Sequence, residues 1–457
     1  MSKRNATQAV SRDLFQKESV QKAILALVLP TIISQLMIVV YNMSDSFWIG
    51  QLNDPAQIAA ATICVPAFFF TMGISNIFGV GGASLMARCL GKKQYDKARS
   101  TCSFCVWTAL LLAMLYAVIF TFFSEPILYM IGATEETFRY CAQYAFWTVI
   151  LGTVPATMAG LFGHLVRSEG YAKQAGFGMV LGIVLNIIMD PVFIFGLRME
   201  IAGAALATML SMVISCIYFV WFVQKRPSTS ILTLRPKYYQ AKNHIASEVL
   251  LVGFPSTIMS LMATASNIVL NVLTASYSTF VVAGMGIAKR IDMVVFAIAN
   301  GVGQGVLPLI SYNYAAKNFV RLKAAIKITF IYSLLLSIIT TIYLFFGADW
   351  TTRLFIENPE TVSYGREFLR IICLTCPCVS LTLIMMTMFQ AAGKKIQPVV
   401  LSIVRKGGLD IPLMLCLNSW MGVMGLAWAI PVEDVLAMII AIGLFIPFWR
   451  KLKAIEK

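Results

Sequence analysis

The amino-acid sequence predicts an all-α integral membrane protein, with twelve transmembrane helices in two six-helix lobes related by a parallel pseudo-two-fold repeat. Of its 457 residues, 59% are hydrophobic and 12% are charged, and its mean hydropathy is +0.79. A soluble globule is about half apolar and a quarter charged. Two further observations support this fold. The basic residues are concentrated in alternate loops, and the two halves of the sequence match each other.

Twelve apolar runs are each long enough to cross the bilayer as a helix, because about 20 helical residues span about 30 Å of hydrocarbon. A helix also satisfies its own backbone hydrogen bonds in lipid, which a lone strand cannot do. The predicted spans are residues 24–48, 57–86, 102–123, 138–160, 175–197, 201–224, 249–275, 281–311, 325–346, 366–390, 397–418 and 423–448. The run after the polar residues 1–22 is too long for a signal-peptide core, so no cleaved signal is expected.

The basic residues predict the topology. When the ends of the spans are counted with the adjoining loops, 27 of the 36 Lys and Arg residues lie in one alternating set of loops and termini, 5 lie in the other set, and 4 lie deep inside spans. Cytoplasmic loops are the ones enriched in Lys and Arg, so both termini are predicted to be cytoplasmic. The net charge of +15 is explained by this topology, and no nucleic-acid partner is expected.

A polar stretch at residues 224–248 divides six predicted helices from six. Residues of the two halves match at offsets of 222 to 225, as Pro30 matches Pro255 and Pro155 matches Pro377. In transporters with such repeats, binding sites lie near the middle of the membrane. The predicted organisation is a cytoplasmic N-terminal segment at 1–22, an N-lobe at 23–224, a cytoplasmic linker at 225–247, a C-lobe at 248–450 and a cytoplasmic tail at 451–457.

The sequence lacks the motifs that mark several kinds of chemistry. The chain has no G-x-x-x-x-G-K-[ST] phosphate loop, and its two histidines are not in a metal-ligand spacing. Cys102-x-x-Cys105 lies at an apolar helix and is interpreted as packing. Gly178-x-x-x-Gly182 and Gly301-x-x-x-Gly305 predict close helix contacts. We therefore expect no catalytic residues, no metal and no cofactor.

Eight ionisable residues lie deep inside the predicted spans of the second half, away from the span ends, where such residues are costly and are functional candidates by default. They are Lys289, Arg290, Asp292, Arg405, Lys406, Asp410, Glu433 and Asp434. Lys289 and Asp292 are three residues apart, and Lys406 and Asp410 are four apart, so each pair can meet on one helix face. Because four cations face four anions, the sequence indicates a neutral, structural polar network.

The first half has only two carboxylates within its spans, Asp45 and Asp190, and no basic residue deep enough to pair with them. Counted along their helices at about 1.5 Å per residue, both carboxylates and Thr208 fall in the outer half of the membrane. Asn186 precedes Asp190 by four residues and shares its face. Two carboxylates close together in a low dielectric cannot both stay ionised, so they share a proton or bind a cation.

The residues themselves leave simpler roles open. Asp45 could be an interfacial aspartate at a helix end, and Asp190-Pro191 could be a helix-bend or stop signal. Asn186 and Thr208 could simply hydrogen-bond neighbouring helices.

Several motifs can be compared with known families. They are Leu29-Pro30 with Gln35, Asp45-x-x-x-Ile49-Gly50, Gly91-Lys92-Lys93, and Asn186-Ile-Ile-Met-Asp190-Pro191 followed by Gly203-Ala204-Ala205. Over about residues 20 to 450 the sequence resembles the MATE (multidrug and toxic compound extrusion) exporters, and it looks closest to the bacterial subgroup with an ion site in the first lobe. The resemblance implies an ion-coupling site at Asp45, Asn186, Asp190 and Thr208, and a hinge at Pro30. Another branch has an essential glutamate in helix seven, which residues 249–291 lack.

The resemblance implies a secondary antiporter, not an enzyme, that exports amphipathic, often cationic, drugs in exchange for H⁺ or Na⁺. It implies a monomer in a bacterial-type plasma (inner) membrane, with no cofactor besides the coupling ion. One alternative is a lipid-linked oligosaccharide flippase, which would need cations such as Lys289, Arg290, Arg405 and Lys406 to hold a pyrophosphate. An integral-membrane enzyme is disfavoured, because no nucleophile–base pair is visible within the spans.

The predicted topology can be tested by labelling. A cysteine placed at Asn358 should react with an impermeant thiol reagent added outside intact cells, whereas one at Ser228 should react only after permeabilisation. Equal labelling of both positions in intact cells would contradict the topology.

Overall fold

A computed structural model of the chain describes residues 13–52, 54–226, 230–240 and 244–454. All regular secondary structure in these ranges is helical. The predicted N-terminal segment up to residue 12, the labelling position Ser228, the rest of 227–229 and 241–243 in the predicted linker, and residues 455–457 of the tail lie outside the described residues.

Eight α-helices of the first half lie entirely within the described residues. They are α1 (Val20–Gly50), α2 (Pro55–Gly91), α3 (Tyr95–Phe122), α4 (Ser124–Met130), α5 (Glu135–Ala145), α6 (Thr153–Ser168), α7 (Ala172–Pro191) and α8 (Glu200–Gln224). Two π-helices, Phe146–Leu151 and Val192–Gly196, follow α5 and α7, and a 3₁₀-helix at Pro236–Tyr238 lies in the predicted linker.

The second half forms nine α-helices. They are α9 (Ile245–Ala275), α10 (Thr279–Ala315), α11 (Phe319–Phe346), α12 (Ala348–Arg353), α13 (Pro359–Cys373), α14 (Cys376–Ala391), α15 (Ile396–Ile403), α16 (Asp410–Met421) and α17 (Val423–Ala454). A π-helix at Val404–Leu409 joins α15 to α16.

Nine helical stretches among the described residues are long and apolar enough to cross a membrane unaided. Two further predicted spans are bent, by 49° between Glu135–Leu151 and α6 and by 47° between α13 and α14. The predicted span at 397–418 is interrupted by the π-helix that contains Gly407 and Gly408, residues of low helix propensity. The prediction of an all-α, multi-pass membrane protein is confirmed, and the helices agree with the twelve-helix layout.

Many helices extend beyond the predicted spans. α3 begins at Tyr95 rather than at residue 102, and α17 continues to Ala454 rather than ending at 448. Hydropathy marks only the part of a helix that lies in hydrocarbon, whereas backbone hydrogen bonding continues through the polar residues at its ends. The difference is therefore one of helix ends and not of helix number.

The described residues form two compact units, one of residues 13–19 and 33–257 and the other of residues 20–32 and 258–454. Two helices, α1 and α9, change from one unit to the other part of the way along their length. Each changes two residues after a proline, Pro30 in α1 and Pro255 in α9. These prolines match in the internal repeat, so both halves of the chain repeat this exchange of helix segments.

Glycines allow close contact between helices in each unit. In the second unit, a Cβ on Gly301 would lie 2.7 Å from the Cα of Ile32, and one on Gly305 would lie 2.8 Å from the Cα of Val28. The start of α1 therefore packs directly on the backbone of α10. In the first unit, a Cβ on Gly182 of α7 would lie 3.1 Å from the Ser211 carbonyl oxygen of α8. Both predicted glycine motifs thus lie at close helix contacts.

We expect Gly301→Ala to lower the melting temperature of the purified protein. The added methyl has to displace the backbone of α1, and overpacking of this kind destabilises by about 1–3 kcal/mol. Gly443→Ala is the matched control, because a Cβ there meets nothing within 4 Å and a helix gains up to about 1 kcal/mol from the change. A melting temperature raised equally by both substitutions would contradict the close contact.

Candidate functional site

Three of the four predicted ion-coupling residues are joined by hydrogen bonds in the first unit. The Asn186 amide Nδ2 donates to Oδ1 of Asp190 at 3.1 Å and to Oγ1 of Thr208 at 3.3 Å. The three residues are 1%, 0% and 2% exposed. The i,i+4 spacing on α7 aligns Asn186 with Asp190, and Thr208 reaches them from α8.

Asp45 adds a second carboxylate from the part of α1 that belongs to the same unit. It is half-buried and close enough to Asp190 to interact with it electrostatically. Neither carboxylate forms an ion pair with a described residue. The structure therefore brings together all four residues that the sequence selects, without a compensating positive charge.

Three oxygen atoms of this group are buried and have no hydrogen-bond partner among the described residues. They are Oδ1 of Asp45, Oδ1 of Asn186 and Oδ2 of Asp190. A buried polar group without a partner is costly, so three of them in one place is unusual in a folded protein. Oxygen atoms of carboxylates and amides suit a proton or a hard cation such as Na⁺. No three His, Cys, Asp or Glu side chains in the described ranges group as a site for a heavier metal.

The local fold explains how α8 reaches α7 at this point. The helix does not stop at Pro191 but continues as the π-helix Val192–Gly196, so Asp190 lies within a helical span and not at its end. A Cβ on Gly203 would lie 2.7 Å from the backbone carbonyl of Phe193. Because Gly203 has no side chain, the start of α8 packs against the π-helix, and Thr208 lies beside Asn186.

Sequence reasoning missed two tyrosines at this site. The Tyr41 hydroxyl lies 3.4 Å from Oγ1 of Thr208, and Tyr41 precedes Asp45 by four residues, so helix spacing alone could have found it. Tyr144, the second-last residue of α5, interacts electrostatically with Asp45 and Asp190. No local pattern marks Tyr144, because its position depends on how α5 packs against the other helices.

Pro30, the predicted hinge, lies inside α1, which is a continuous α-helix over Val20–Gly50. Proline cannot donate a backbone hydrogen bond, so the helix is weaker there. The hydroxyl of the next residue, Thr31, donates to the Leu27 carbonyl oxygen at 2.7 Å.

The second unit contains the predicted polar network. Lys289 Nζ lies 3.3 Å from Oδ2 of Asp292. Lys406 Nζ lies 3.4 Å from Oδ2 of Asp410 and 3.1 Å from Oε2 of Glu433. Both pairs that helix spacing suggests are therefore within ion-pair distance, and Lys406 links α16 to α17.

Arg405 joins the same network, and Arg290 does not. Arg405 Nη2 lies 3.3 Å from Oδ1 of Asp434, and Nε lies 3.6 Å from Oε1 of Glu433. Arg290 is exposed and forms no ion pair with a described residue. The inclusion of Arg290 in the predicted network is wrong, because it follows Lys289 by about 100° around α10 and lies on a different face.

We expect Arg405→Met to destabilise the folded protein by about 3–5 kcal/mol, because removing one partner of a buried ion pair leaves uncompensated charge. Arg290→Met is the control, since its side chain is exposed. Thermal unfolding of the two purified variants measures the difference. Equal melting temperatures would show that the network contributes no stability.

The family model described as MatE matches residues 30–192 and 255–415, once in each half of the chain. The multidrug export protein MepA of Staphylococcus saprophyticus is 28% identical over 93% of this chain and 94% of its own length. MepA of Staphylococcus haemolyticus is also 28% identical, over 93% of each chain.

Solved structures share the fold at lower identity. An outward-facing multidrug resistance MATE family transporter of the MOP superfamily has a TM-score of 0.90 at 23% identity, over 97% of this chain and 98% of that chain. A MATE in the bent conformation has a TM-score of 0.87 at 22% identity, over 98% of each chain. The MatE matches cover well over half of the sequence, and the chain therefore belongs to the MATE family of transporters.

Proposed function

We propose that the protein is a secondary active antiporter that exports amphipathic, often cationic, organic compounds in exchange for H⁺ or Na⁺. Its family and its similarity to relatives named multidrug export proteins support the export of drugs. The observation that supports ion coupling is the group of unpartnered buried oxygens on Asp45, Asn186 and Asp190. We place the coupling ion there.

The charge of the site changes when the ion binds. With both carboxylates ionised and no cation near them, two negative charges repel each other in a low dielectric. A proton or Na⁺ removes that repulsion, so the loaded and empty states favour different arrangements of the surrounding helices. This difference is the driving force that an antiporter needs, because an ion shifts an equilibrium only by its differential affinity for the two states.

Contacts at the site link three helices to its occupancy. Asn186 connects α7 to Thr208 on α8, and Thr208 in turn lies within 3.4 Å of Tyr41 on α1. A change in the bonding of Asp190 is therefore passed to α1, which contains Asp45 and, further along, Pro30. We propose that α1 bends or repacks at Pro30 and that the affinity for drug falls as the ion binds.

Alternating access follows from this coupling by linkage. If the bound ion lowers the affinity for drug, the bound drug lowers the affinity for the ion by the same factor. The protein then carries drug in one direction and the ion in the other. No cofactor is needed, and we place the protein as a monomer in the plasma (inner) membrane with both termini in the cytoplasm.

The flippase alternative needs free cations to hold a pyrophosphate, and the buried cations of the second unit are engaged. Lys406 contacts Asp410 and Glu433, and Arg405 contacts Glu433 and Asp434. Two cations thus face three carboxylates, a surplus of acidic groups that disfavours a phosphate ligand. This observation favours the antiporter.

The proposal predicts that Asp190→Asn abolishes export while leaving the protein folded. Asparagine keeps the size and hydrogen-bonding capacity of the side chain but removes the charge that a proton or Na⁺ neutralises. Proteoliposomes with the parent protein should move a fluorescent cationic dye under an imposed pH gradient or an imposed Na⁺ gradient. The gradient that works identifies the ion, and the variant should match protein-free vesicles under both.

Asp349→Asn is the matched control, because Asp349 makes its ion pairs with Arg353 and Arg366 on the exposed surface. It should transport dye at the parental rate. If Asp190→Asn, present at the parental level, transports dye normally while Asp410→Asn does not, the coupling site is in the second unit and this mechanism is wrong.

A further inference from the structure

The buried charges of the second unit do not balance. The charge network consists of Lys289, Asp292, Arg405, Lys406, Asp410, Glu433 and Asp434. With Arg290 exposed and outside it, the network has three cations and four carboxylates. The part of it around the π-helix, without Lys289 and Asp292, also has one carboxylate more than it has cations.

The members of the charge network are linked to one another by successive electrostatic interactions. Lys406 Nζ lies between Asp410 and Glu433, and Arg405 lies between Glu433 and Asp434. Arg405 also interacts electrostatically with Asp292, the partner of Lys289. An excess charge at one carboxylate therefore changes the electrostatic energy of every other charged group in the network.

Two oxygen atoms of the charge network are buried and have no hydrogen-bond partner among the described residues. They are Oδ1 of Asp410 and Oε1 of Glu433, in residues that are 2% and 0% exposed. The other Asp410 oxygen accepts from Ser266 Oγ at 2.6 Å and from Lys406. Both carboxylates are ion-paired, but Lys406 and Arg405 are shared by three carboxylates. A buried carboxylate charge that is not compensated is strongly unfavourable, so the network requires one more positive charge.

A proton fits this need better than a metal cation. Hard cations take several oxygen ligands, whereas only two oxygens are unpartnered here. The ammonium of Lys406 and the guanidinium of Arg405 would also repel a further cation. The other neighbours of Asp434 are a hydroxyl and two thiols. Thr375 donates to Asp434 at 3.1 Å, and Cys376 and Cys378 interact electrostatically with the same carboxylate.

The internal repeat supplies an independent observation. Asn186, which is hydrogen-bonded to Asp190 and Thr208 in the first unit, corresponds to Asp410 in the second, at an offset of 224. This offset lies within the range of the other repeat matches. Asp410 thus lies at a position on its helix that belongs to the polar site in the first unit.

We propose that the charge network binds one exchangeable proton, shared by Asp410 and Glu433 on either side of Lys406. The second unit then has a proton-binding site of its own, separate from Asp45 and Asp190. Because the two carboxylates are coupled through Lys406, the proton belongs to the pair and not to one residue. This inference does not depend on the transport cycle proposed above.

Infrared spectroscopy can count this proton, because a protonated carboxyl group has a C=O stretch that a carboxylate lacks. We would use the full-length protein in lipid nanodiscs, with Asp45→Asn and Asp190→Asn combined to remove the first unit's carboxylates. At neutral pH and without Na⁺, this background should retain one protonated carboxyl. Adding Asp410→Asn or Glu433→Gln should remove it, adding Lys406→Met should raise the count by one, and adding Arg290→Gln should leave it unchanged.

The background protein alone can overturn the inference. If it shows no protonated carboxyl at neutral pH, the network does not hold a proton. If added Na⁺ abolishes the signal, the site prefers a metal cation to a proton, and this result also contradicts the proposal. An unchanged signal in both Asp410→Asn and Glu433→Gln places the proton elsewhere and has the same consequence. Dye transport by the parent protein tests the antiport mechanism separately, so failure of one proposal is distinguishable from failure of the other.

Discussion

Lipid offers no hydrogen bonds, so every polar group that this chain buries in the membrane has to be satisfied by the protein itself. The backbone meets this constraint by forming helices. Many buried hydroxyls meet it by donating to carbonyl oxygens one turn earlier, as Thr329 does to Ala325 and Thr387 to Leu383. Against this background, an unpartnered carboxylate oxygen is a position where a ligand replaces the missing partner.

The two units meet the constraint with different chemistry. Among the described residues, the first unit surrounds Asp45 and Asp190 with an amide and hydroxyls and with no cation, so a bound ion supplies the positive charge of the site. The second neutralises most of its carboxylates with Lys406 and Arg405, which keeps the helices around the π-helix together. A site without cations is suited to an ion that arrives and leaves, whereas a network of ion pairs also has to hold the fold.

How far the sequence could predict this arrangement depends on the range of the interaction. Composition, the bias of basic residues between loops and the internal repeat predict the fold. Helix spacing predicts neighbours on one helix, as for Asn186 with Asp190. Helix spacing does not predict contacts between helices that are distant in sequence, so the sequence does not place Tyr144 at the site. Helix spacing also places Arg290 on a different face from Lys289, but only packing shows that this face is exposed and that the network is therefore not neutral.

The repeat reproduces the scaffold of the helices more faithfully than their chemistry. Pro30 and Pro255 mark the same change of unit in α1 and α9, but the repeat position of Asp45 is Leu270, which packs in an apolar core. Lys406 takes the place of Gly182, which in the first unit permits close contact of α7 with α8. Replacing a glycine by lysine and an amide by Asp410 places an ion pair where the first unit has neutral groups. Exchanges at a few positions of the repeat thus give two different polar sites on one repeated backbone.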